Sequence, residues 1–357
     1  SLTGAYLRGE KAVRRERTSP CRPWGVVRLR GVRRWNLDGL DVEIPLGAFT
    51  VITGRSGAGK STLAEALVES ARAALAGAPP PPWVEAAEGF EGLSAVVPVD
   101  PSPLKRSARS NVSTYLGFAP AIRSLFAASP EARMRGYSPS RFSPNSREGR
   151  CESCRGTGVV RLEMVFLPDA LVPCEDCGGA GLNREVLEIR YRGLNYAQVM
   201  EMEVAEAESF FANVRKVRVP LRLLREIGLG YLKLGQPSST FSGGEAQRVK
   251  LAAGLLMSRR RGALFVLDEP TMGLHFEDVN RLLVLLDKLV AVGHTVVAVE
   301  HDPWFAACAD YIIELGPGGG KDGGKLTACG PPERVARADT VTGREVAAVL
   351  ERGGGPR

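Results

Sequence analysis

The 357-residue sequence contains no run of about 18 apolar residues, the length a helix needs to cross a bilayer. Its 44% hydrophobic content therefore has to be buried in globular cores. No stretch has the build of a secretory signal. A disulfide framework is also lacking. Of seven cysteines, four stand in two tight C-x-x-C pairs, while Cys21, Cys308 and Cys329 are scattered. That distribution suits a reducing cytoplasm and a bound metal. There is no initiating methionine: the chain opens on Ser1, as a fragment or a processed chain would. What is present is a length sufficient for two domains with substantial cores.

The net charge is +7, and its distribution says more than its total. Between Pro101 and Arg161 stand eleven Lys/Arg, from Lys105 and Arg106 through Arg133 and Arg141 to Arg155, against Glu131, Glu148 and Glu152, a local excess of +8. Two readings are open for this segment. It is a solvated basic face, or it binds a phosphate backbone, where clustered cations gain from counterion release. Residues 1 to about 24 read as a linker or edge segment. Within it Arg8, Lys11, Arg14, Arg15 and Arg17 are further candidates for touching nucleic acid.

Three strings carry the chemistry. Gly54-Arg55-Ser56-Gly57-Ala58-Gly59-Lys60-Ser61 fits G-x-x-x-x-G-K-[ST], behind a buried strand at 48–53 and ahead of a helix from about Lys60 to Ala76 with Leu63, Ala66, Leu67 and Ala71 at helical spacing. In that context the N–H groups from Gly57 to Lys60 wrap phosphates, Lys60 neutralises them and Ser61 can ligate Mg²⁺. Gly54, Ser56, Gly57, Gly59, Lys60, Ser61 and Thr62 are thus the candidate ATP contacts. Leu264 to Leu267 form an apolar strand ending in Asp268 and Glu269. Ser242, Gly243, Gly244 and Glu245 open a helix, so free N–H groups and a dipole's positive end face an anion, the γ-phosphate of ATP. In this order the strings resemble the nucleotide-binding core of an ABC-type ATPase. A third parallel strand, 295–299, places His301 just past its carboxyl end, where a γ-phosphate contact is favoured over a bystander role.

Between strand 94–99 and the serine–glycine string the α/β pattern gives way to an insertion. Inside it Cys151-Glu152-Ser153-Cys154-Arg155-Gly156-Thr157-Gly158 and Cys174-Glu175-Asp176-Cys177-Gly178-Gly179-Ala180-Gly181 repeat C-x-x-C-x-G-x-G, with 19 residues between the pairs. Cys151, Cys154, Cys174 and Cys177 suit a structural, tetrahedral Zn²⁺ with no open position for catalysis. Val159 to Val172 alternate enough for a hairpin whose tip could probe a ligand. From Leu187 to Leu232 the pattern is helical, closed by Gly228 and Gly230. After a short strand at 311–315, a glycine-rich loop at 316–324 and a polar tail end the chain.

Taken together these residues resemble the C-terminal half of UvrA, the damage-recognition ATPase family of bacterial nucleotide excision repair. The resemblance is carried by Ser1-Leu2-Thr3-Gly4, Asp100-Pro101-Ser102-Pro103 with Arg109-Ser110-Asn111, the cysteine repeats flanking Phe166-Leu167-Pro168-Asp169, and Gly228-Leu229-Gly230-Tyr231. Ser242 to Leu251, Asp268-Glu269-Pro270-Thr271 with Gly273-Leu274-His275-Phe276, and Glu300-His301 complete it. It implies a fold class of α/β type: a P-loop ABC-type ATPase core, residues 1–100 and 241–357, interrupted by an inserted, mostly helical signature domain, residues 101–240, carrying a four-cysteine zinc module at about 147–183. It further implies ATP, Mg²⁺ and Zn²⁺ as ligands. Asp268 orders the metal through water, Glu269 polarises the attacking water, His301 senses the γ-phosphate, and the insertion contacts double-stranded, damaged DNA.

The partner it implies is a second ABC module, supplied by an N-terminal half or by a homodimer, because a serine–glycine helix start caps ATP held by the opposite module. Direct docking of UvrB is left open, because the half carrying its main docking region is absent from this sequence. Two residues depart from the family pattern. Pro101 stands where a metal-contacting glutamine is usual, and Met272 replaces a usual threonine. Two other functions remain compatible: a catalytically weakened paralogue that binds nucleic acid or a protein, and a resistance factor acting on DNA-bound drug.

Overall fold

Strands Phe49–Gly54 and Ala263–Asp268 are buried at nearly every position rather than at alternate ones, the mark of strands covered on both faces. They belong to a six-stranded sheet ordered Lys325–Gly330, Tyr311–Gly316, Phe49–Gly54, Thr295–Val299, Ala263–Asp268, Ala95–Val99. All neighbours are parallel except Lys325–Gly330, which pairs antiparallel with Tyr311–Gly316. Helix Lys60–Leu75 packs on this sheet through Leu63, Ala66, Leu67 and Ala71, all fully buried. Its core continues into a three-stranded antiparallel sheet, Leu37–Leu46, Gly25–Arg34 and Ala86–Glu88, whose Val27, Leu29, Val42 and Ile44 join the same hydrophobic cluster. The arrangement is a P-loop ABC-type α/β core.

The coordinates are a computed structural model that describes residues 2–8, 10–15, 22–100, 102, 104, 110–162, 170–258, 261–353 and 355–356. Two compact units emerge, Ser1–Ser102 with Gly243–Arg357, and Pro103–Ser242. Pro101, Pro103, Lys105, Arg106 and Arg109, the hairpin tip 163–169, Arg17 and Cys21 lie outside the described residues. Among the described residues no helix is long and apolar enough to cross a membrane.

The second unit is mostly helical around an aromatic core. Phe126 meets Phe142 and Tyr196 with ring centroids 5.6 and 5.4 Å apart, and Phe211 stacks on Tyr191. The stretch expected to be helical from Leu187 is broken by a two-residue hairpin, Arg190–Tyr191 against Leu194–Asn195. Arg192 and Gly193 take positive φ there, which no helix tolerates. Helix Arg215–Glu226 ends before Gly228, at φ 77°; Gly230 is not left-handed and has no part in the stop.

Two terminal segments differ from the expectation of linker and polar tail. The tail contributes strand Lys325–Gly330 and helix Val341–Glu351. At the other end, helix Leu2–Leu7 leads to Arg14–Arg15, which pairs in parallel with Gly355–Pro356. Arg15 is 1% exposed, so it is no nucleic-acid contact. Its guanidinium reaches Asp287 Oδ1 and Asp310 Oδ1, each at 3.0 Å, and lies 5.4 Å from the Phe49 ring centroid. Arg8 pairs with Glu10, and Lys11 lies 3.6 Å from Glu277.

Candidate nucleotide site and metal centre

Strands Phe49–Gly54, Thr295–Val299 and Ala263–Asp268 are parallel neighbours, so their carboxyl ends share one edge, where open α/β sheets bind ligands. The first runs into the glycine loop. Gly54 has φ 134°, and a Cβ there would lie 2.0 Å from Leu315 O, so only glycine fits. Helix Lys60–Leu75 starts directly after Gly59, with no side-chain cap on its N–H groups. Lys60 Nζ donates to Gly54 O and Arg55 O, both at 2.9 Å, folding the loop over itself. Burial lowers the Lys60 ammonium's pKa, while Glu269 and Asp268 act against it. Ser56, Gly57, Gly59, Ser61 and Thr62 lie in the loop or its helix start.

Asp268 ends its strand, and Glu269 takes φ 45°, unusual for a residue with a side chain. Burial, then the charges of Glu269, Asp100 and Glu300, raise the Asp268 carboxyl's pKa, with Lys60 pulling it down. Such crowded carboxylates form a donor set that a divalent cation would relieve. His301 Nε2 lies 3.5 Å from Glu269 Oε1, both side chains being half-exposed. The structure thus brings Asp268, Glu269 and His301 to the same edge as Lys60.

Sequence reasoning gave no role to Glu300, which is 3% exposed. It accepts from Thr271 N and His301 N, each at 2.8 Å, tying the turn after Glu269 to the histidine. Asn36 Nδ2, at the tip of an antiparallel hairpin, donates to Gly57 O at 2.9 Å, and the 316–324 loop closes from the other side through Gly320 N to Gly57 O at 3.0 Å. Both bonds depend on backbone carbonyls, which leave no sequence signal.

Helix Gly243–Met257 begins with the serine–glycine string. A Cβ on Gly244 would lie 3.5 Å from Met272 O, so the start of this helix faces the turn 272–274 of its own chain. Glu245 is half-buried in the first turn. Ser242 is assigned to the other compact unit. Further along, Gln247 donates to Asp268 O, and Lys250 Nζ donates to Asp100 O, Asp100 Oδ1, Ser102 O and Ser102 Oγ at 2.7–3.0 Å.

In the other unit Cys151, Cys154, Cys174 and Cys177 are buried with their sulfurs all within 4.8 Å of one another. Cys151 Sγ to Cys174 Sγ is 3.9 Å, and Cys154 Sγ to Cys177 Sγ is 3.7 Å. These distances are too long for disulfides and match the edge, about 3.8 Å, of a tetrahedron with Zn–S near 2.3 Å. The repeat acts symmetrically: Gly158 N donates to Cys154 Sγ and Gly181 N to Cys177 Sγ, each at 3.3 Å. A Cβ on Gly158 would lie 2.3 Å from Gly179 O, so the knuckle requires glycine. Burial opposes ionisation of Cys154, but the amides of Gly158 and Gly156 hold its thiol down to about 7; burial pushes Cys177 up to about 12. Four such sulfurs fit zinc. One zinc per chain is expected by elemental analysis, and Cys174→Ser should lose it and become protease-sensitive within 147–183. Full zinc retention in that variant would overturn the assignment. Strands Val159–Leu162 and Ala170–Pro173 rise from the knuckles as an antiparallel hairpin.

No family model matches the chain. It is 50% identical over 356 residues to UvrABC system protein A of Thermus thermophilus, covering 98% of this chain and 37% of that protein. It is 48% identical over 356 residues to UvrABC system protein A of Methanothermobacter thermautotrophicus, with the same coverage. The crystal structure of UvrA2 from Deinococcus radiodurans superposes with a TM-score of 0.89 at 47% identity, over 98% of this chain and 42% of that one. The chain therefore spans less than half the length of the relatives it matches.

Proposed function

Since this chain belongs to the UvrA family, matched over 98% of its own length, we propose that it is an ATP-hydrolysing, DNA-binding module that recognises damaged duplex in nucleotide excision repair. The observation that carries this reading is the convergence of Lys60, Asp268, Glu269 and His301 on one sheet edge. ATP would be held by the loop Gly54–Thr62, and Mg²⁺ by Ser61 with Asp268; the metal supplies charge neutralisation at the phosphates. Glu269 orients the attacking water and accepts its proton. His301 contacts the terminal phosphate. Lys60 and the loop amides hold the others, so catalysis is positioning and electrostatic stabilisation.

The serine–glycine helix start serves ATP on a second module, either an N-terminal half or another copy of this chain. The unit Pro103–Ser242, with its zinc module, is the DNA-contacting part. Helix Arg215–Glu226 supports this: Arg215, Arg218, Arg222 and Arg225 recur at helical spacing on its exposed side while Val217, Leu221 and Leu224 are buried, although Arg222 is paired with Glu226 and Arg225 with Glu208. Arg133, Arg147 and Arg155 are exposed as well, whereas Arg135 and Arg141 are bonded to Glu188 and Glu185. Binding of this kind is led by the backbone and weakens linearly in log–log against salt, with lesions sensed through shape and deformability. Residence in the cytoplasm belongs to the same proposal; direct docking to UvrB stays open.

The test is turnover by the purified chain without DNA, with intact duplex and with lesion-bearing duplex, across protein concentration. Stimulation by lesions, and a rate rising faster than linearly with concentration, are expected. Nucleotide binding without turnover would instead mark a non-catalytic paralogue. Lys250 roots helix Gly243–Met257 to Asp100 and Ser102, where the chain leaves the core. Lys250→Met is therefore expected to keep ATP affinity while losing most of the stimulation by DNA. Unchanged stimulation would show that this contact transmits nothing.

A further inference from the structure

We propose that a cleft beside the phosphate loop holds a monovalent cation, with Glu314 as its charged ligand. The cleft, about 340 Å³, is walled on one side by Thr53, Gly54, Arg55 and His301, and on the other by Glu314, Thr327 and residues 339–345. Glu314 is 5% exposed. Its Oε1 accepts the Thr342 N–H at 3.2 Å, at the start of helix Val341–Glu351. Its Oε2 is buried and has no hydrogen-bond partner among the described residues. A carboxylate oxygen withdrawn from water and given no donor is disfavoured as an anion unless a cation or a water answers it.

Charge decides which occupant fits. Arg344 is committed to Asp339 at 2.7 Å. Among the remaining groups in the wall, the carboxylates of Glu314 and Glu345 stand against one permanent cation, Arg55, an excess of one negative charge. That balances one positive charge, whereas Ca²⁺ and Mg²⁺ sites gather several carboxylates or a near-ideal octahedron of oxygens. An anion at the helix start would meet the Glu314 carboxylate already taking the Thr342 N–H. The same wall offers one neutral oxygen: the Thr327 hydroxyl donates to Glu314 O at 3.2 Å and keeps its lone pairs for a cation. A cation here lies between a buried carboxylate and the loop assigned to phosphates, so cation and nucleotide should strengthen each other's binding reciprocally. That coupling rests on the proposed nucleotide site; cation binding itself does not.

The probe is thallium(I), a potassium-sized ion, titrated into the full chain in choline nitrate at constant ionic strength and followed by its NMR shift. Saturable binding displaced by potassium or ammonium is expected. Which of the two displaces at lower concentration identifies the physiological occupant. Glu314→Gln, checked for an unchanged circular-dichroism spectrum, should abolish it, and Thr327→Val should weaken it if the first variant fails to fold. Potassium should also raise the thermal midpoint of the wild type above that in equal choline. Absence of saturable binding, equal binding by Glu314→Gln, or equal midpoints in potassium and choline would overturn the site. Each is read without nucleotide, so failure of the proposed ATPase leaves the result interpretable.

Discussion

Glu269→Gln is expected to bind ATP as tightly as the wild type while its turnover falls by about 10²- to 10⁴-fold, the range for losing a positioned general base. The substitution keeps the side chain's shape and removes only its charge. Phosphate binding should survive, because in the proposed site it rests on Lys60 and the loop amides, not on Glu269. It should tighten if anything, since Glu269 is the foremost of the charges that raise the Asp268 carboxyl's pKa, after burial itself; with that charge gone, Asp268 is a better metal partner. The His301 imidazole, 3.5 Å from Glu269 Oε1, also loses its carboxylate neighbour. Equilibrium nucleotide binding beside single-turnover hydrolysis separates the two effects. Equal hydrolysis by variant and wild type would remove Glu269 from the mechanism.

Arg15→Met is expected to destabilise the α/β core by about 3–5 kcal/mol, because it strands Asp287 and Asp310 as buried carboxylates without their cation. Asp310 also accepts the Phe49 N–H at 2.8 Å through its other oxygen, so the loss reaches the strand that feeds the phosphate loop. Arg15→Lys should recover only part of it, because one ammonium cannot reproduce a planar fork bonded to two acids and stacked near a ring. Urea unfolding of the zinc-loaded chain provides the measurement. A loss of under about 1 kcal/mol in the methionine variant would show that water reaches the two acids and relieves their charge.

The arginine illustrates where sequence reading stops. Arg8, Lys11, Arg14 and Arg15 look alike in a basic, aperiodic segment, yet Arg15 is enclosed by Asp287 and Asp310, from the far end of the chain. Partners at that distance follow no local rule. The tail was misread for a related reason: strand Lys325–Gly330 is an edge strand, exposed at its start and half-covered beyond, so its pattern resembles a loop. Glu300 went without a role because the donors it satisfies are largely backbone amides, which nearly every residue carries.

What the sequence determined by itself was whatever depends on short-range geometry and composition. A glycine loop between an apolar strand and an amphipathic helix, paired carboxylates closing a buried strand, and two copies of C-x-x-C-x-G-x-G each specify their local backbone. Only tertiary structure decided how these pieces meet. Sheet order set the edge shared by Lys60, Asp268, Glu269 and His301, because adjacency of strands far apart in the chain is fixed by which faces can be buried together. The same folding placed Glu314 beside the phosphate loop, Lys250 on Asp100, and the four sulfurs at tetrahedral distances. Those outcomes are energetic consequences of packing, and no window of sequence contains them.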